Sequence, residues 1–317
     1  MNANLASLIQ QVGPLFGVIV VGALFRAFGI LPAEVAPLVS RVVMTLTLPA
    51  LVFTAIRSAG TQNIPFTPDL LKMPLLAYAV MLVSGMLAWV IGRQLHLARP
   101  AQGALILSAT FGSTAFLGYP IIAALVQSNQ IGPSGLLGHV LYSEIGTLVA
   151  LVTVGLIVAS FYGEGAGFSW RNLLAVPRAA PFIALLIGLL FYNDPLPQVL
   201  TNLMSLMAGT TSFLMMLYLG MSLVGSGLLT YWRPVVATQA IKLAVAPLLA
   251  LGLSFALQMG SDMRSVAVID SATPTILLCL AYSAQYRLDQ RLATALVFSS
   301  FLFSLITLFI WLALIVH

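Results

Sequence analysis

Long apolar stretches alternate with short polar segments along almost the whole chain. Each stretch is about 20 residues long, which is the length that an α-helix needs to cross the hydrocarbon core of a bilayer. Strands of a membrane barrel are shorter and alternate apolar with polar positions, so the pattern excludes a barrel. It predicts an all-α membrane protein with ten transmembrane helices, or spans, at residues 8–28, 36–56, 73–95, 102–126, 134–160, 178–193, 199–225, 232–258, 264–285 and 291–316.

The composition supports the same class. Of the 317 residues, 60% are hydrophobic and only 7% are charged, whereas a soluble domain carries about 25% charged residues. So little charge excludes a soluble enzyme, a disordered chain and a nucleic-acid-binding protein, despite the net charge of +5. The single cysteine, Cys279, excludes an internal disulfide, and we expect no metal site and no cofactor.

The basic residues are divided unequally between two sets of loops. Loops after odd-numbered spans contain nine arginines, whereas loops after even-numbered spans contain three basic residues. Because cytoplasmic loops carry the excess of lysine and arginine, the odd loops are predicted to be cytoplasmic. Both termini would then lie outside a cell (inner) membrane. The nine arginines are Arg26, Arg41, Arg93, Arg99, Arg171, Arg178, Arg233, Arg287 and Arg291.

The two halves of the chain resemble each other weakly. Span 4 contains Gly118-Tyr119-Pro120 in its middle, and span 9 contains Ala272-Thr273-Pro274 at the corresponding place. Each half has five spans, an odd number, so the second half enters the membrane from the opposite side. This predicts an inverted repeat with a first unit at 1–160, a cytoplasmic linker at 161–177 and a second unit at 178–317.

Two interrupted spans at matching positions point to transport. A proline inside a helix removes one backbone hydrogen bond and clashes with the carbonyl four residues back. Paired interrupted helices in an inverted repeat are typical of the substrate site of a secondary transporter, and half-helix N-termini favour an anion. A single proline kink also occurs for packing alone, and that interpretation stays open for each kink separately.

The fourth span also contains a motif. Residues 113–120 resemble the Asn-Thr-x-x-x-Gly-x-Pro motif in the fourth span of the auxin efflux carrier family, which includes plant PIN proteins and many bacterial carriers. Thr114, Gly118 and Pro120 occupy the motif positions, and Ser113 replaces the asparagine, without its amide donor. Residues 46–53 resemble the family's second-span pattern.

The ninth span completes the resemblance. Ala272-Thr273-Pro274, followed twelve residues after the proline by Tyr286, is similar to the family's ninth-span pattern. Together with the ten spans, the resemblance covers essentially the whole chain. It implies a fold shared with bile-acid-symporter-like and sodium/proton-antiporter-like carriers, in which spans 4 and 9 cross at their breaks.

The resemblance further implies how such a carrier works. Spans 1, 2, 6 and 7 would form a scaffold that dimerises through spans 2 and 7. Spans 3–5 and 8–10 would form a transport domain that carries a small organic anion, such as a carboxylate, by an elevator-type movement across the plasma membrane. Auxin itself is not expected, because Ser113 lacks the amide. The substrate-binding residues would be Gly112, Ser113, Thr114, Gly118, Pro120, Thr273, Pro274 and Thr275.

Three ionisable residues inside the spans are candidates for coupling to a proton or a sodium ion. A charge near the bilayer centre costs about 2.5–3.5 kcal/mol on insertion scales, so such residues are functional hypotheses by default. Asp270 lies one helical turn before Pro274 and is either a proton or cation site or a structural acceptor. Lys242 either pairs with Asp270 or Glu144, or balances an anionic substrate. Glu144 either joins His139 in a proton relay or lies partly wetted near the outer end.

Other classes of function remain as alternatives. A sodium-coupled carrier of the bile-acid type would need a denser set of oxygen ligands at the crossing. A membrane sensor without transport would need a partner protein for its output. An enzyme is not expected, because the sequence contains no His-Glu-x-x-His motif, Gly-x-Ser-x-Gly motif or paired aspartates.

Overall fold

The computed structural model describes residues 2–32, 34–61, 67–164, 180–192, 194, 196–222 and 230–315, and their regular structure is helical apart from one isolated bridge. We number the helices in chain order. They are α1 (Asn2–Ala27), α2 (35–61), α3 (Pro68–Gln94), α4 (Arg99–Thr110), α5 (Thr114–Gln127), α6 (Ser134–Tyr162), α7 (Ala180–Leu190), α8 (Gln198–Ser222), α9 (Trp232–Ala256), α10 (Ser261–Ser271), α11 (Leu278–Gln285) and α12 (Gln290–Ile315).

The helices confirm the predicted class of an all-α membrane protein. Six of those described, α2, α3, α6, α8, α9 and α12, are long and apolar enough to cross a bilayer unaided. The regions of spans 4 and 9 are each divided into two shorter helices, α4 with α5 and α10 with α11.

Several helices begin before the apolar stretch that predicted them. Helix α3 begins at Pro68 rather than at residue 73, because proline suits the first helical turn and the polar Asp69 and Lys72 continue the helix outside the apolar window. Most of the predicted linker (its residues 165–177) and the last three residues of span 7 (223–225) lie outside the described residues.

Among the described residues, five short π-helical segments interrupt the α-helical geometry. Such segments have wider turns than an α-helix and are frequent at functional sites. One includes Glu144 in α6, another includes Lys242 in α9, and a third opens α5. No signal in the sequence predicted them. The segments are Val43–Thr47, Thr114–Gly118, Leu141–Leu148, Leu151–Gly155 and Ala240–Val245.

The helices pack as two groups. Helices α1, α2, α7 and α8 contact mainly one another, and α3–α6 contact mainly one another and α9–α12. Within the first group, α1 approaches α8 closely at Gly22, where a Cβ atom would stand 2.6 Å from the carbonyl oxygen of Leu217. Small residues allow such close contact between helices in a membrane. Contacts between the groups are fewer, and several involve α5.

Candidate functional site

The two broken helices meet backbone to backbone. The chain is extended at Phe111, between α4 and α5, and the backbone N–H of Ser113 donates to the carbonyl of Pro274 at 2.7 Å. The N–H of Ile276 donates back to the carbonyl of Phe111 at 3.1 Å, which forms the antiparallel bridge between Gly112 and Thr275. These bonds satisfy backbone groups that the breaks release, as a water-poor environment requires.

Residue 112 has to be glycine because the two breaks and α9 approach one another closely there. A Cβ atom there would stand 2.5 Å from Oγ1 of Thr273 and 2.8 Å from Nζ of Lys242, so no larger residue fits without displacement. Gly112 therefore sets how closely the two breaks and α9 meet.

The break in span 4 is not where the sequence indicated. The prediction placed it at Gly118–Pro120, but the chain leaves the helix at Phe111–Ser113. Pro120 lies within α5, in the first α-helical turn after the π-helical segment that opens this helix. Pro274, in contrast, lies inside the break of span 9.

Most of the predicted hydroxyl ligands are used by the fold itself. Thr273 Oγ1 donates to the carbonyl of Asp270 at 2.7 Å, and Thr275 Oγ1 donates to the carbonyl of Ser108 at 2.8 Å. Ser113 Oγ is buried and has no hydrogen-bond partner among the described residues. Thr114, another of the predicted substrate-binding residues, lines a cavity next to the crossing.

Asp270 forms an ion-pair contact with a histidine from the other half of the chain. His139 Nδ1 lies 2.7 Å from Oδ1 and 2.9 Å from Oδ2 of Asp270, and both side chains are fully buried. Gly118 packs against the pair, since a Cβ there would stand 2.7 Å from both Asp270 Oδ1 and His139 Cε1. The Tyr119 ring stands edge-on to the imidazole at 4.1 Å. The sequence proposed Lys242 as a partner of Asp270 and missed His139, which is distant along the chain.

Lys242 contacts a helix end rather than a carboxylate. Its ammonium group donates to the carbonyl of Ser271 at 3.1 Å, at the C-terminus of α10, where a cation is favourable. Lys242 has no carboxylate within ion-pair distance in the described part of the chain, so the predicted direct pairing with Asp270 or Glu144 does not form.

Glu144 lines a cavity of about 120 Å³ next to the crossing. The cavity lies at the N-terminal ends of α5 and α11, which begin at Thr114 and Leu278. Ser143 Oγ lies 3.1 Å from Thr114 Oγ1 and donates to Glu144 Oε1 at 3.3 Å. Glu144 is only 2% exposed and forms no ion pair with a described residue. Its burial does not agree with the partly wetted position considered from the sequence.

Three larger hollows lie elsewhere in the described part of the chain. One, of about 270 Å³, is lined by Asp69 and Asp262 in the first turns of α3 and α10, away from the crossing. The other two lack the polarity of the Glu144 cavity. One, of about 550 Å³, is bordered by α3, α4 and α6, and its rim includes Leu82, Met86 and Val154, which are more than half exposed. Another, of about 290 Å³, lies between α2, α7 and α8. Neither contains an ionisable group other than Tyr78 and Tyr162 in the larger hollow. The Glu144 cavity is therefore the candidate site.

Comparisons with known proteins agree with a membrane transport protein. The model of a family described as "Membrane transport protein" matches residues 7–164 and 165–312. An uncharacterized transporter of Methanothermobacter thermautotrophicus is 25% identical over 92% of this chain and 93% of its own length. Another, of Methanocaldococcus jannaschii, is 25% identical over 92% of this chain and 94% of its own length. The resemblance inferred from the motifs is confirmed, and the chain belongs to this membrane transport protein family, that of the auxin efflux carriers.

Proposed function

We propose that this protein is a secondary carrier, either proton-coupled or uncoupled, for a small organic anion, a carboxylate. The observation that carries the proposal is the position of the Glu144 cavity, at the N-terminal ends of two half-helices whose breaks are hydrogen-bonded to each other. Unbonded N–H groups and the helix dipole make such ends favourable for a negative group. Thr114 and Ser143 add hydroxyl groups to the same wall.

The proposed movement is of the elevator type. The grouping of α1, α2, α7 and α8 on one side, and of α3–α6 with α9–α12 on the other, supports a scaffold and a transport domain that move as units. The crossing lies entirely within the second group, so a substrate held there would move with it. We propose that the scaffold dimerises through α2 and α8, the helices of spans 2 and 7, whose outer faces include the exposed Leu46 and Leu206.

The proposed setting is the cell membrane, with both termini on its outer side. The unequal distribution of arginine between the two sets of loops supports this orientation. A sodium-coupled carrier is a weaker alternative, because Asp270 already shares both carboxylate oxygens with His139 and the cavity lining offers Glu144 as its one carboxylate.

Counterflow in proteoliposomes tests the proposal. Vesicles preloaded with an unlabelled mixture of short carboxylates are expected to accumulate a labelled carboxylate transiently. A sensor that only binds its ligand would produce no such accumulation. The Gly112→Ala variant is expected to lose at least about tenfold of this exchange, because the added methyl group collides with Thr273 and Lys242. Gly17→Ala, in α1 with no neighbouring atom within 4 Å of its added methyl group, is the matched control. Absence of exchange with every carboxylate would refute the proposal.

A further inference from the structure

Most polar groups of the Glu144 cavity come from α5 and α6. They are Thr114, Ser143, Glu144 and Thr147, with Tyr218 from α8, whereas α2 and α11 contribute Met44, Leu48 and Leu278 to the apolar part of the lining. A ligand that matches this division has one polar end and one short apolar part. A monocarboxylate has that form, whereas a dicarboxylate would place a second charge against methionine and leucine.

The volume limits the size of the ligand. An apolar cavity of about 150 Å³ holds benzene, a molecule of six heavy atoms. The Glu144 cavity, at about 120 Å³, therefore fits about five or six heavy atoms. Carboxylates of three or four carbons, such as propionate, have that size, and carboxylates that bear an aromatic ring system exceed it.

The charges of the cavity do not allow a bare anion beside an ionised Glu144. Two half-helix N-termini supply together about one positive charge, enough to balance one carboxylate but not two. The lining contains no lysine, arginine or histidine. Two carboxylates that share a small site hold one proton between them, because like charges so close cannot both ionise.

No neighbouring group replaces the missing positive charge. The titratable residues on the elements around Glu144 include Tyr78 on α3, Tyr119 on α5, Tyr218 on α8, Asp270 on α10, and Cys279 and Tyr282 on α11. The basic residues of α2 and α3 do not line the cavity. The histidine nearest to the cavity, His139, already contacts both oxygens of Asp270. Lys242 donates to the end of α10 and does not line the cavity.

We propose that this cavity takes a monocarboxylate of three or four carbons together with one proton from the adjacent aqueous phase, and that Glu144 holds the proton. This inference rests on the proposed function and narrows it to a substrate class and a coupling residue. Asp270 is thereby assigned a different role, since its carboxylate is occupied by His139 and does not face the cavity. The proton arrives on Glu144 as the anion enters and leaves with it, so that each cycle moves no net charge.

Binding of labelled propionate to the purified protein between pH 5.5 and 8.5 tests the inference. For the wild type, we expect the Kd to increase by about tenfold per pH unit wherever Glu144 is ionised in the empty cavity, as linkage to one proton requires. Glu144→Gln, which imitates the protonated acid, is expected to bind propionate with the same Kd at every pH. Glu164→Gln, the same substitution at an exposed position just after α6, is the matched control and keeps the wild-type profile.

A second measurement does not depend on any variant. In weakly buffered solution at pH 8.5, where Glu144 is ionised before binding, the wild-type protein is expected to take up one proton for each propionate bound, and uptake of none would overturn the inference. A wild-type pH profile in Glu144→Gln would also overturn the inference. Loss of propionate binding at every pH in a folded Glu144→Gln protein would overturn it as well, because it would indicate that Glu144 binds a cationic group of the ligand.

The two proposals fail in different ways. If malonate or octanoate binds in place of propionate, the size or the single charge inferred for the substrate is wrong, while the proposed function as a carrier of organic anions remains supported. If none of the three carboxylates binds at any pH, the proposed function itself fails.

Discussion

The carboxylates of Asp270 and Glu144 are both buried within the same helical group, but their hydrogen-bond partners and their packing differ. Asp270 has both oxygens within 2.9 Å of one imidazole nitrogen, and a glycine and a tyrosine ring pack against the pair. Glu144 accepts one long hydrogen bond from its neighbour Ser143 and faces a cavity. Both residues lie inside predicted spans, and hydropathy does not distinguish them.

The difference separates two uses of a costly buried charge. A carboxylate that is matched by a partner across the fold holds α6 and α10 together, and removing the partner leaves an uncompensated charge. A carboxylate without a countercharge beside an empty volume is available to a ligand or a proton. Substitutions that remove the partner of each acid, fill the space around it or remove the nearest cation should therefore have unequal effects.

The largest expected effect comes from removing each acid's partner. His139→Ala should destabilise the protein by about 3 kcal/mol, because Asp270 is left buried without its hydrogen-bond partner. Ser143→Ala should cost only about 1 kcal/mol, the net value of an ordinary hydrogen bond. Thermal unfolding of both purified variants measures the contrast, and equal losses would mean that Asp270 and Glu144 are held alike.

A smaller effect is expected from filling the space next to Asp270. Gly118→Ala places a methyl group 2.7 Å from Asp270 Oδ1 and His139 Cε1, and such overpacking costs about 1–3 kcal/mol. Gly252→Ala in α9 meets no atom within 4 Å and should be neutral or stabilising by up to about 1 kcal/mol. Measurement of both melting temperatures tests this prediction, and a stable Gly118→Ala would show that the pair has room to move.

The smallest effect is expected from replacing the cation near the crossing. Lys242→Met leaves the carbonyl of Ser271 without its donor, but it also removes a buried charge. The net loss of stability is expected to be about 1–2 kcal/mol. Lys72→Met, which removes a partly exposed pair with Asp69, should cost less than about 1 kcal/mol. Melting temperatures provide the test. A loss for Lys242→Met as large as that of His139→Ala would indicate that Lys242, too, is needed to balance Asp270.

Much of the general organisation could be predicted from local patterns. Helix existence follows from apolar length, and the helical class needs no knowledge of contacts. The errors concern positions where local rules and packing compete. Pro120 indicated a break because proline disrupts a helix interior, but a π-helical turn places it in a first turn and the chain opens at Phe111 instead. Gly112 carries no sequence signal of its own, although it determines how closely the breaks meet.

By itself, the sequence determined that the chain is an all-helical membrane protein, that spans 4 and 9 carry matching irregularities, and that the chain resembles the auxin efflux carriers. These conclusions depend on composition, periodicity and short motifs, all of which are local. Only the tertiary structure decided that His139 contacts Asp270, that Lys242 covers a helix end and that Glu144 faces a cavity. The energy of a buried charge depends on the groups within a few ångströms of it, and those groups come from distant parts of the chain.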